Sequence, residues 1–132
     1  ILYPHASVHD VLNEDVISQI VSLSQRASRN LLADVIETFA VNTRHDFERL
    51  MLSFKNDESD KELLATAQRA INRAEVTGAI AVAELANQIA HDARAGSTLA
   101  RLDATIIRLN AEVDRYVALV RAIYLFGDAD VR

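Results

Sequence analysis

Four histidines, His5, His9, His45 and His91, are the side chains here best suited to proton or phosphoryl chemistry near neutral pH. His91 is the most suggestive, because Asp92 follows it and a neighbouring acid can hold an imidazole tautomer. Consecutive helical residues point about 100° apart, however, so the two side chains do not face each other. His5 and His9 are spaced to share a face, but their stretch has no sustained period and they read as solvated residues. His45 stands between Arg44 and Asp46 and reads as a surface residue. The sequence has no Cys, which excludes disulfides, thiolate zinc sites and cysteine nucleophiles. It also has no P-loop, G-x-G-x-x-G, H-E-x-x-H or EF-hand pattern, and no paired Glu-x-x-His set of the di-iron kind. No cofactor and no metal is expected.

Composition bounds the scaffold. Half of the 132 residues are apolar and only 5% are aromatic, so the core must be mainly Ala, Leu, Ile and Val. Three Gly and one Pro are too few for the turns of an all-β sandwich or barrel, and long helices are the alternative. At this length one domain is the natural prior. The formal net charge is −5 and no Lys/Arg cluster exists, which argues against nucleic acid and against direct contact with an anionic membrane. No uncharged apolar run approaches the ~18 residues of a membrane span; the nearest, Ala79 to Ala83, stops at Glu84. The absence of Cys fits a reducing, cytoplasmic setting. The chain opens at Ile1 with neither Met nor a basic stretch, so it is expected to be a piece of a longer protein.

Periodicity then places the elements. Residues 1–11 read as an irregular leader, 12–126 as one helical bundle and 127–132 as a polar tail. Asn13 is placed as an N-cap, with Glu14 and Asp15 in the first turn of a helix over about 14–24. The polar run Ser24 to Ser28 reads as a turn. A long helix over about 29–54 carries Leu32, Val35, Ile36, Phe39, Thr43, Phe47, Leu50, Met51 and Phe54 on one stripe. Ser59-Asp60-Lys61-Glu62 is a capping box that starts a third helix, with Leu63, Ala67, Ala70, Ala74 and Thr77 inward and Gly78 as its C-terminal cap. A fourth helix over about 79–95 turns Val82, Leu85, Ala86, Ile89 and Ala93 inward and closes at Gly96. Ser97 or Thr98 caps a fifth, whose stripe of Leu102, Ile106, Leu109, Val113, Val117 and Val120 runs to about 125. The short connections favour antiparallel neighbours. The expected fold is all-α, an antiparallel up-down four-helix bundle with a short extra N-terminal helix.

Two stretches, Leu12-Asn13-Glu14-Asp15-Val16-Ile17 and Leu32-Ala33-Asp34-Val35-Ile36-Glu37-Thr38-Phe39, resemble the opening of histidine-containing phosphotransfer (HPt) domains. Such domains continue with A-H-x-[LI]-K-G-x-[SA]-x-x-x-G-A and then a helix with an A-E-L turn. The corresponding run here is Ala67-Gln68-Arg69-Ala70-Ile71-Asn72-Arg73-Ala74-Glu75-Val76-Thr77-Gly78-Ala79, followed by Ala83-Glu84-Leu85. The spacing to Gly78-Ala79 needs no gap.

The departures fall on the chemistry. The resemblance places the phosphoacceptor His on Gln68, the charge-steadying Lys on Ile71 and the close-approach Gly on Asn72. A Gln amide forms no phosphoimidazole, Ile neutralises no phosphate, and Asn adds bulk where a partner docks. The resemblance therefore implies an HPt-like domain without a catalytic residue, from a two-component phosphorelay protein such as a hybrid sensor histidine kinase. The parent could itself be membrane-anchored. Its partner would be a receiver (response-regulator) or sensor kinase domain, met through Gln68, Arg69, Ile71, Asn72, Arg73 and Glu75. In that face Ile71 would supply apolar contact, while Arg69 and Arg73 would meet acidic groups. Two alternatives stay open: an active module using an unconventional His, with His91 the least poor candidate, and a plain scaffold or homodimerising bundle.

Overall fold

A computed structural model describes residues 8–27, 31–55, 60–96 and 99–125 of the chain. It is all-α. The helices are α1 (Val8–Val11), α2 (Glu14–Ala27), α3 (Leu31–Lys55), α4 (Asp60–Thr77), α5 (Ile80–Ala95) and α6 (Leu99–Val120). A π-helical turn, Arg121–Leu125, continues α6. No β-strand occurs among the described residues, only an isolated bridge between Leu12 and Ala79. None of the described helices is long and apolar enough to cross a membrane.

The apolar stripes become the core. Leu32, Ile36, Phe39 and Phe47 of α3 are buried with Ala67, Ala70 and Ala74 of α4. Val82, Ala86, Ile89 and Ala93 of α5 join Leu102, Ile106, Leu109, Val113 and Val120 of α6 in the same cluster. Helix α4 packs most extensively on α5, and α3 and α6 close the core around them. Most of the buried apolar residues of α4 and α5 are alanine, small enough to let neighbouring backbones approach closely. Larger side chains fill the space on the α3 and α6 side. Phe39 meets Tyr116 edge-on, with ring centroids 5.1 Å apart and planes at 69°. The Tyr116 hydroxyl donates a 2.6 Å hydrogen bond to the Thr77 carbonyl at the end of α4.

Local chemistry sets the helix ends. Asn13 caps α2, its Oδ1 accepting from the Val16 amide at 3.3 Å. Gly78 ends α4 at φ +77°, a left-handed conformation that favours glycine. There the Ala79 amide donates to Ala74 O at 2.8 Å, and the Gly78 carbonyl accepts from the Asn13 amide at 2.8 Å. The start of α2 is thereby tied to the α4–α5 turn. Gly96, at φ +74°, ends α5 in the same way.

Three expectations are corrected. The leader is not irregular throughout: Val8–Val11 is helical, and Val11 enters the core. The run Ser24 to Ala27 is no turn but the last part of α2. Gln, Arg and Ala are good helix formers, and the Ser24 hydroxyl accepts from the Leu32 amide of α3 at 3.1 Å, so its polarity serves the next helix. The last helix also changes hydrogen-bond pattern at Arg121, where a π-helical turn begins. The Ser59 and Ser97/Thr98 caps, His5 and residues 126–132 lie outside the described residues, as do the side chains of His9, Leu50, Phe54 and Leu63.

Candidate functional site

Helix α4 has two unlike faces. Thr66, Ala67, Ala70, Ile71, Ala74 and Thr77 are buried, whereas Gln68, Arg69, Asn72, Glu75 and Val76 are exposed. Side chains three and four residues apart lie together on a helix, so Gln68, Asn72, Glu75 and Val76 form one outward strip with Arg69 beside it. The small residues beneath let α4 sit close to its neighbours, and the strip rests on a packed floor.

Two members of the expected face are placed differently. Ile71 is only 6% exposed and belongs to the core, because it follows Ala67 by one turn and precedes Ala74 by one. It supplies no apolar contact to a partner. The exposed apolar residue is instead Val76, 69% exposed and one turn beyond Asn72. Its position out of step with the alanine stripe was the available signal. Arg73 is also committed inward: Nη1 donates to Asp46 Oδ2 of α3 at 2.9 Å and reaches Thr43 Oγ1 at 3.5 Å. Arg69 remains on the strip, with Nη2 bonded to Thr66 Oγ1 of its own helix at 3.1 Å.

The two arginines should therefore respond oppositely in stability. Arg73→Met is expected to cost about 1–2 kcal/mol by leaving the half-buried Asp46 carboxylate without its cation. Arg69→Met should stay within about 0.5 kcal/mol of the parent. Urea denaturation of both variants checks this, and equal losses would show that Arg73 is not a structural tie.

The strip continues to the α4–α5 turn, where Asn13, Glu75, Gly78, Ile80 and Asn87 border a shallow groove of about 310 Å³. His45 and His91 are both exposed. Asp92 does not orient His91. Its side chain turns into the protein, accepting from Gln88 Nε2 at 2.9 Å and lying 3.5 Å from Arg101 Nε. Among the described residues, no group of three His, Asp or Glu side chains is placed to hold a metal ion.

The exposed strip contains no strong nucleophile and no general base positioned by a partner. It can offer hydrogen bonds, one guanidinium, one carboxylate and one apolar contact. No protein-family model, curated protein or solved structure matches the chain.

Proposed function

We propose that this chain is an HPt-like antiparallel four-helix bundle from a two-component signalling protein, and that it binds a receiver or kinase domain without accepting phosphate. One observation carries the reading. Gln68, at the position where the resemblance puts the phosphoacceptor His, is exposed at the head of a polar strip over a close-packed alanine floor. The site has the accessibility that phosphotransfer requires and lacks the imidazole. Transfer from an aspartyl phosphate would need a ring nitrogen to attack phosphorus as the P–O bond to the receiver breaks. A carboxamide nitrogen, its lone pair delocalised into the carbonyl, cannot do this.

On this reading Gln68, Asn72, Glu75 and Arg69 orient the partner by hydrogen bonds and charge, and Val76 supplies the apolar contact. Docking would position or sequester a receiver, or couple the domains of a kinase. The lost Lys is a separate matter. A Lys at position 71 would have to thread its stem out of the core, so restoring it would disturb packing as well as charge.

The test compares the parent with a Gln68→His, Asn72→Gly variant against a panel of phosphorylated receiver domains on a Phos-tag gel. The expected result is an acid-labile phosphorylated species for the variant alone. Calorimetry should show receiver binding near the micromolar scale, weakened about tenfold or more by Val76→Glu. Labelling of the parent would overturn the inactive reading. If neither form is labelled or binds while an active HPt domain does both, receiver docking is wrong and a scaffold role replaces it.

A further inference from the structure

A second concave surface lies away from the α4 strip, between α5 and α6. It has a volume of about 740 Å³ and reaches Asp10 and Val11 of α1. Charge lines it unevenly. Arg101, Arg108 and Arg115 recur every second turn of α6, and Asp92 and Glu112 stand among them.

Two of the carboxylate oxygens are buried without a hydrogen bond, Asp92 Oδ2 and Glu112 Oε2. The Asp92 side chain is only 3% exposed. Its Oδ1 is satisfied by Gln88, but Oδ2 has only the 3.5 Å ion pair with the largely exposed Arg101. A buried acceptor whose one partner is a long ion pair with an exposed side chain is under-satisfied, so a ligand N–H that takes the place of Arg101 there removes a standing penalty. Arg108 has the complementary deficit: it lines the groove, is exposed, and has no hydrogen bond or ion pair among the described residues. Arg101 and Arg108 are two helical turns apart, about 10 Å along the axis.

The charges restrict what fits. A simple cation drawn to Asp92 would meet three guanidinium groups, and a simple anion drawn to Arg108 would meet the carboxylates of Asp10, Glu84, Asp92 and Glu112. A molecule with both charges, held apart by a flexible stem, meets neither obstacle. We propose that the α5–α6 groove binds a small zwitterion whose ammonium group donates to Asp92 Oδ2 and whose carboxylate pairs with Arg108. This is the class of ω-amino acids and short peptides. The half-buried Leu85 and the Ala81 and Ala111 surfaces give the intervening methylenes an apolar wall. The site shares no residue with the α4 strip and does not depend on the receiver-docking reading.

The test titrates the isotope-labelled chain with ε-aminocaproate, hexylamine and hexanoate and follows backbone amide shifts. The zwitterion is expected to shift amides of α5 and α6 around Asp92 and Arg108, with each single-charge analogue binding about tenfold more weakly or worse. Arg108→Ala changes an exposed side chain and should weaken ε-aminocaproate about tenfold, while Asp103→Ala, outside the groove, should not. Asp92→Asn removes the buried charge and should have at least the Arg108→Ala effect; if that variant does not fold, Arg108→Ala alone decides. Absence of localised shifts, equal binding of hexylamine or hexanoate, or unchanged affinity in Arg108→Ala would each overturn the proposal.

Discussion

Replacing Gly78 with alanine should destabilise the fold by about 3 kcal/mol, far more than the same change at Gly96. Both residues end a helix with positive φ, +77° and +74°, so both variants carry the left-handed backbone penalty. Only Gly78 is crowded. A Cβ there would stand 3.0 Å from the Asn13 carbonyl oxygen and 3.2 Å from Ile17 Cγ1, whereas at Gly96 nothing lies within 4 Å. The carbonyl can retreat only by moving the start of α2, and that start is tied to Gly78 by the 2.8 Å bond from the Asn13 amide. Gly96→Ala should cost about 1 kcal/mol, the conformational part alone. Denaturant midpoints of the two variants provide the comparison. Equal losses would mean that close packing of α2 on the turn contributes nothing.

Tyr116 should make the protein sensitive to alkali. Burial pushes its hydroxyl up from 10.0 to about 12, against a smaller opposing effect of the Thr77 side chain. The folded state thus holds the phenolic proton more tightly than the unfolded chain does. This contribution is intact below pH 10 and fades as pH rises from 10 to about 12, with a total near 3 kcal/mol. Tyr116→Phe isolates it. At neutral pH the variant should be about 1–2 kcal/mol less stable, because the buried Thr77 carbonyl loses its donor. Above pH 12 the order should invert, since Phe has no proton to lose. Urea titrations of both proteins across this range would show the crossing, and parallel stability curves would count against a buried, proton-holding phenol.

Much of the framework could be read from spacing. Leu32, Ile36, Phe39 and Phe47 recur with the helical period, and Gly78 and Gly96 fall where a chain leaving a helix needs positive φ. Asn13 announces its capping role because its short amide can reach the first turn. The site was less legible. Position 71 read through the resemblance belongs to the docking face, whereas the period groups it with Ala67 and Ala74, and packing follows the period. Arg73 looks like any surface cation until α3 brings Asp46 to it across 27 residues of sequence. Tyr116 has core spacing, three residues after Val113 and four before Val120, but its hydroxyl acceptor is on another helix. Partners distant in sequence leave no local pattern. The polar stretch at the end of α2 shows the reverse error, since composition suggested a turn where propensity favoured helix.

The link from Asn13 to Gly78 also bears on the order of assembly. Helices α4 and α5 are joined by two residues, so their contacts form with little loop-closure entropy and suit an early step. Asn13 reaches the same turn only after α2, α3 and α4 have come round to meet it, which makes this bond one of the most non-local among the described residues. Gly78 therefore belongs to both the beginning and the end of folding. Its positive φ shapes the nascent hairpin, and its carbonyl receives the N-terminal segment when the rest is in place. The contacts of α2 with the turn are thus expected to form after those between α4 and α5.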